Sequence, residues 1–155
     1  MADITVFPTI RQVMVSGKNL IQMTATTTVK AGMVVAIHAT GVSLAVDKAI
    51  DASGSKSIGV ALFDAAAGAE LTLATVGCVV NVANESDSVS IDAGSIVNSS
   101  AVAVGGLVIK ADITAASTVA VSQYNTIGIA LAEIPVSSYG PVLICPVTSM
   151  KPNAS

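Results

Sequence analysis

The chain has few of the side chains that enzymes use for chemistry. It carries one histidine, His38, and two cysteines, Cys78 and Cys145, which lie far apart and outside any C-x-x-C motif. These three residues are one short of the four ligands of a structural zinc site, and the sequence contains no G-x-S-x-G, P-loop or G-x-G-x-x-G motif. We therefore predict a protein that is not an enzyme and has no cofactor or metal, with His38 in a structural role and both cysteines as buried free thiols.

Charge and aromatic rings are also scarce. Charged residues make up 11% of the 155 residues and aromatic residues 3%, tryptophan is absent, and the seven scattered basic residues leave a net charge of -3. A nucleic-acid-binding surface needs clustered cations, often beside stacking aromatics, so we expect no direct binding of DNA or RNA. Ordinary domains carry about a quarter charged residues. Much of this surface must therefore consist of small polar and apolar side chains.

The chain lacks a convincing membrane segment or secretory signal. The longest uncharged run, residues 113–132, contains seven Ser, Thr, Asn or Gln residues, whereas a spanning helix needs about 20 predominantly apolar residues. The opening Met1-Ala2-Asp3 has no basic region ahead of an apolar stretch. We expect no membrane partner and synthesis in a host cytoplasm.

Alternating β-branched patterns are abundant. Apolar residues recur at every second position in short runs, as in Val80 and Val82 or Leu107 and Ile109, and turn formers such as Gly105-Gly106 separate the runs. The few helix-compatible stretches are too short to be stable alone. The predicted fold class is all-β, a compact β-barrel or sandwich built from two similar halves, with an extended N-terminal arm and minimal helix.

The two halves repeat one another. Ile58-Gly59-Val60-Ala61-Leu62 recurs as Ile127-Gly128-Ile129-Ala130-Leu131. Other pieces match in the same order: residues 29–35 with 91–97, residues 41–47 with 106–112, and Gly68-x-x-Leu71 with Gly140-x-x-Leu143. The offset grows only between matched pieces, as loop insertions between retained strands would produce. We assign residues 26–149 to one β-domain with pseudo-repeats at about 29–75 and 91–147.

The first 25 residues lie outside this predicted repeat. Residues 3–7 have a strand pattern that Pro8 ends, and extended apolar positions follow. Such an arm either adds a strand to a partner's sheet or forms another strand of its own domain. The candidate partner-binding residues are the apolar residues of the arm, with Phe7 as the expected hot spot: Ile4, Val6, Phe7, Pro8, Ile10 and Val13. Residues 150–155 form a polar C-terminal tail.

The order of motifs resembles that of the capsid cement or head-decoration proteins of tailed bacteriophages. The order is Ala-Gly-x-Val-Val, an alternating strand, Ile-Gly-Val-Ala-Leu and a Gly-led strand, repeated with Ile-Gly-Ile-Ala-Leu, and the resemblance covers residues 25–148. It implies a small structural protein that binds the outer surface of the matured head, commonly as a homotrimer, and stabilises the capsid. The implied partners are the major capsid protein and further copies of the chain, and the implied location is the virion surface.

Two other functions stay open from the residues alone. One is a free β-domain that binds a small ligand or carbohydrate, although such pockets usually recruit aromatic side chains. The other is a self-assembling shell or filament subunit, which would share a low-charge surface and polymerise by itself.

Overall fold

All regular elements that the structure describes are β-strands. The computed structural model describes residues 4–37, 45–48, 57–100, 104–110 and 125–148. The strands are β1 (Met14–Ser16), β2 (Leu20–Ala25), β3 (Val34–Ile37), β4 (Ala45–Lys48), β5 (Ser57–Ala61), β6 (Glu70–Ala74), β7 (Val79–Ala83), β8 (Ile96–Ser99), β9 (Val108–Lys110), β10 (Asn125–Ala130) and β11 (Tyr139–Thr148). The predicted all-β fold is confirmed. His38 and the predicted tail, residues 150–155, lie outside the described ranges, within which no helix has the length and apolarity of a membrane span.

Strands β2 to β6 form a closed barrel, the first barrel. Their order is β2-β4-β3-β5-β6, and the contact of β2 with β4 is parallel while the other contacts are antiparallel. Successive side chains of a strand alternate between its two faces. Leu71, Leu73 and Val35 are accordingly buried inside the barrel, whereas Gln22 and Glu70 are exposed outside it.

Strands β7 to β11 repeat this strand order in a six-stranded sheet with β1, and we call these five strands the second barrel because one parallel bridge closes them. They are neighbours in the order β7-β11-β10-β8-β9, and β1 adds to the free side of β7. A parallel bridge between Asn84 and Val108 brings β9 back to β7, as β4 returns to β2 in the first barrel. The two barrels contact each other where β5 lies against β10 and β11, and one apolar core runs through both.

The strand registers of the two barrels correspond pair by pair. Val35 pairs with Gly59 as Val97 pairs with Gly128, and both ladders shift register next to these pairs. Isolated bridges also recur, since Val29 pairs with Ala65 and Ile91 with Ile134. The repeated pentapeptides are therefore β5 and β10 with the residue that follows each, the same strand in two copies of one barrel.

The glycine of each pentapeptide has a steric cause. A Cβ atom at Gly59 would overlap the carbonyl oxygen of Ala74, and one at Gly128 would overlap that of Leu143. Ala74 and Leu143 occupy the same position in β6 and β11. The neighbouring strand approaches so closely at this point that only glycine fits.

One predicted match between the halves is out of register by three residues. Leu71 holds the position opposite β2 that Gly140 holds opposite β7, so Leu71 corresponds to Gly140 and not to Leu143. The error arose because the sequence comparison aligned Gly68 with Gly140. The counterpart of Gly68 is Ser137, and both adopt positive φ, 84° and 49°, so the turn is retained while its glycine is not.

The repeat also begins earlier than predicted. Val46 pairs with the last residue of β3 as Val108 pairs with the last residue of β8, so the match of residues 41–47 with 106–112 is wrong by three positions as well. β2 and β7 are equivalent first strands with the same register against β6 and β11. The repeated units are therefore residues 20–74 and 79–148, and β2, which the sequence analysis placed in the arm, is a wall of the first barrel.

Buried polar groups differ between the barrels. In the second barrel the Thr126 hydroxyl donates to Asn98 Oδ1 at 3.0 Å in a buried position. The equivalent residues of the first barrel are Ser57 and Ala36, and the Ser57 hydroxyl has no hydrogen-bond partner among the described residues. The same outer position is thus satisfied in one copy and unsatisfied in the other.

Candidate interaction surface

Residues 4–13 lie across both barrels, and we call this segment the strap. The amide of Ile4 donates to the carbonyl of Glu85 in the second barrel at 2.9 Å. The side chain of Ile10 lies so close to Gly32, in the first barrel, that a Cβ there would overlap it. The carbonyl of Val13 then accepts a hydrogen bond from the Asn81 amide of β7 at 2.8 Å. The strap therefore ties the two barrels together.

The strap buries half of the residues that were predicted to bind a partner. Phe7, Ile10 and Val13 are each 5% exposed and belong to the core of this chain. These three apolar side chains recur at every third residue of the strap and pack into the core. The folded chain therefore does not present them to a partner. Phe7, the expected hot spot, is a core residue of this chain, because the chain offers its own apolar surface to cover it. Its role in partner binding stays a prediction.

The other three predicted residues remain accessible in part. Val6 is 73% exposed, and Ile4 and Pro8 are half-buried. Partner binding by these residues stays a prediction.

The strap continues as β1 along the outer edge of β7. Met14 pairs with Val80 in an antiparallel ladder, and the Gln12 side-chain amide donates to the carbonyl of Met14 at 3.1 Å. Next, Gly17 passes over Cys78 with φ 122°, where a Cβ would stand 2.7 Å from the Cys78 sulfur. The strap and β1 thus cover the edge of β7 and bury Cys78.

Within the described ranges, no strand covers the equivalent edge of β2. Leu20 and Ile21 are 47% and 42% exposed, whereas Val80, the counterpart of Ile21, is fully buried beneath β1. Within the described ranges, no strand pairs with residues 20–22 on the side away from β6. The two barrels share one register but differ at this edge: among the described residues, β7 has an added strand and β2 does not.

This edge lies in a region with several exposed apolar side chains, at the link between the two barrels. We define the junction surface as residues 14–22 and 74–80. Asn19 holds the two segments together, because its carbonyl accepts hydrogen bonds from the amide and the hydroxyl of Thr75, both at 2.9 Å, and its side chain donates to the carbonyl of Val76 at 2.7 Å. Exposed apolar side chains cluster in these segments: Val15, Leu20, Ile21 and Val76.

The junction surface carries almost no charge. Lys18 is the single charged residue in residues 14–22 and 74–80. Other exposed apolar side chains have different surroundings, since Phe63 is followed by Asp64 and Leu131 lies two residues from Glu133. Charged residues are depleted at the centres of protein interfaces, where aromatic and apolar side chains are buried. The junction surface is therefore the best candidate for protein binding that the structure presents.

Metal-binding side chains do not converge in the described ranges. No three His, Cys, Asp or Glu side chains lie together in a metal-binding group there. Both cysteines are free, with Cys78 buried and Cys145 exposed, so the prediction of a buried thiol is wrong for Cys145. It lies in β11, where alternate side chains face outward.

The fold is similar to that of a phage head protein. The chain matches the crystal structure of the head fiber gp8.5 N base in bacteriophage phi29 with a TM-score of 0.56 and 15% sequence identity. The match covers 82% of this chain and 93% of that chain. No protein-family model and no curated protein sequence matches.

Proposed function

We propose that this protein is a non-enzymatic structural component of a phage virion that binds the outer surface of the capsid and stabilises it. The observation that carries this proposal is the similarity of almost the whole barrel pair to the base of a phage head fiber. The resemblance of the repeated motifs to head-decoration proteins points the same way. The junction surface supplies the low-charge apolar contact that such binding requires.

The binding free energy that one junction surface can supply is small, which favours binding by several copies together. Complete burial of a Val, Leu or Ile side chain contributes about 1.5–3 kcal/mol, and four half-exposed side chains would gain roughly half of that each. The total of about 3–6 kcal/mol must offset a rotational and translational cost of about 4 kcal/mol or more. A single copy would therefore bind weakly, whereas a trimer that engages several capsid subunits at once would bind tightly.

We accordingly propose a homotrimer with the major capsid protein as its partner. Such a protein is made in the host cytoplasm and acts on the outside of the assembled head. Light scattering after size-exclusion chromatography should give three times the chain mass of 15.3 kDa. A monomer would favour a ligand-binding module instead, and an open-ended polymer would favour a shell or filament subunit.

The direct test uses heads assembled without this protein. Purified protein is added back, unbound protein is removed by sedimentation, and occupancy is measured by electron microscopy. We expect saturable binding at symmetry-related positions and a higher temperature for DNA release from decorated heads. Absence of binding at protein concentrations well above those of the capsid subunits would refute the proposal.

A further inference from the structure

We propose that the outer face of the second barrel, at Ile96, Ile129 and Leu143, packs against a second copy of this chain. We call these three residues the outer row. The inference rests on the proposed homotrimer, and it names the surface through which the copies meet. A neighbouring barrel would then cover the row of the second barrel, as one already covers the equivalent row of the first.

The outer row crosses three neighbouring strands. Ile129 of β10 pairs with Ile96 of β8 on one side and with Leu143 of β11 on the other. Successive side chains of a strand alternate between its faces, and the adjacent Val97 and Ile144 are buried in the core. The row therefore faces outward. Ile129 and Ile96 are 40% and 37% exposed, and Leu143 is half-buried.

The first barrel has the same row, and there it is buried. Val34, Val60 and Ala74 occupy the positions of the outer row in register, and each is 0% exposed. The second barrel lies on this side of the first, because β5, which carries Val60, lies against β10 and β11. The amide of Val34 also donates to the carbonyl of Gly106 in the second barrel at 2.9 Å. The row is thus covered in the first barrel and exposed in the second.

The exposed row carries larger apolar side chains than the buried one. Two isoleucines and a leucine stand where the first barrel has two valines and an alanine. A sheet face that meets only water usually carries polar residues. Adjacent apolar side chains on three strands are instead typical of the centre of a protein interface.

A barrel of the same chain is the partner that this comparison indicates. The first row shows what such a face accepts, namely a neighbouring barrel. The described part of the chain forms two barrels, and both already take part in that contact, so the next barrel in the series belongs to a second copy.

The geometry of the contact agrees with a closed oligomer. The face that covers the first row is not the outer row of the second barrel, because the outer row is exposed. The contact between barrels therefore joins unlike faces. Contacts between unlike faces repeat from copy to copy and form a ring where the rotation closes, which is the arrangement that a homotrimer needs.

Substitution of Ile129 tests the contact against a matched control. Ile129→Lys places a charge at the centre of the row, and Ile129→Thr keeps a β-branched side chain that suits a strand. Phe63→Lys places the same charge on an apolar residue that is 64% exposed and lies outside the row. Sedimentation velocity over a concentration series measures self-association of the full chain.

We expect both Ile129 variants to raise the Kd of self-association about tenfold or more, which is about 1.4 kcal/mol. Phe63→Lys should associate as the wild type does. Self-association of both Ile129 variants at the wild-type Kd, or an equal loss in Phe63→Lys, would overturn the proposal.

A native thiol reports on the contact without any substitution. Cys145 is exposed and lies two residues from Leu143 on the same face of β11, whereas Cys78 is buried. An aromatic disulfide reagent in excess should therefore label one thiol per chain in dilute solution. We expect labelling to slow at least tenfold at concentrations where the wild type is oligomeric. An unchanged rate in the oligomer would refute the placement of the row in the contact.

These outcomes separate the inference from the proposed function. If the wild type is a trimer that Ile129→Thr leaves intact and in which Cys145 reacts at the dilute rate, the inference fails and the homotrimer stands. If the wild type stays monomeric at every concentration, the homotrimer and the inference fail together. Binding to heads assembled without this protein decides the capsid part of the proposed function in either case.

Discussion

Replacement of Phe7 by alanine tests whether the strap holds the fold together or reaches for a partner. Phe7 is 5% exposed and packs in the common core, and the neighbouring Val6 is 73% exposed. Removing a buried phenylalanine side chain costs about 3–5 kcal/mol, whereas a substitution on the surface usually changes stability by about 0.5 kcal/mol or less. The two adjacent residues should therefore behave very differently.

The size of the effect makes it easy to measure. A domain of this length loses about 2–4 °C of melting temperature for each kcal/mol, so Phe7→Ala should melt about 6–20 °C below the wild type. Val6→Ala, the control one residue away, should melt within about 2 °C of it. Equilibrium denaturation in urea checks the free energies, and binding to undecorated heads is measured at a temperature where both variants are folded. If Phe7→Ala keeps wild-type stability and loses head binding, the strap is a binding arm and the assignment of Phe7 to the core is wrong.

Three further outcomes follow from comparison of the two barrels. Thr126→Val should lower the free energy of unfolding by about 1–3 kcal/mol in urea titrations because it leaves the buried Asn98 oxygen unsatisfied. Ser57→Ala removes a hydroxyl without a described partner, so it should leave the free energy of unfolding unchanged or raise it. An equal loss of stability in the two variants would contradict this reasoning. Gly128→Ala should destabilise the protein by about 1–3 kcal/mol or more, because the new methyl group overlaps a backbone carbonyl that the ladder holds in place. A melting temperature equal to that of the wild type would show that β10 and β11 separate easily. Ser137→Gly should raise the melting temperature by a few degrees because Ser137 holds positive φ at a cost of about 1 kcal/mol, and no change would mean that the serine side chain compensates for its backbone.

Parts of the fold were predictable because they depend on local pattern. Alternation of apolar residues indicated strands, and the pentapeptides at Ile58 and Ile127 correctly marked equivalent segments because a close strand contact requires glycine there. The equivalence of β2 and β7 was not predictable, since Leu20-Ile21-Gln22-Met23 and Val79-Val80-Asn81-Val82 share alternation and little else. β2 and β7 are equivalent because their backbones have the same register, and many different apolar side chains are compatible with that register.

The candidate site depends on which strand edges other parts of the folded chain cover, and a sequence pattern does not show this. Val80 and Ile21 are both β-branched apolar residues at equivalent positions. Val80 is buried where it pairs with β1, whereas Ile21 is exposed. Whether the strap belongs to the core or to a partner stayed open in the sequence for the same kind of reason. Phe7, Ile10 and Val13 are spaced by three residues, which matches neither the strand period of two nor a sustained helical face.

The strap also sets the order in which the molecule is completed. The strap precedes its hydrogen-bond partners Asn81 and Glu85 in the chain, so during synthesis its backbone cannot form these bonds until the start of the second barrel has been made. The first barrel, residues 20–74, contains all of its own strands and can close before that moment. The strap is thus fixed in place only after the second barrel has begun to form, and its docking joins two barrels that fold in succession into one cooperative unit.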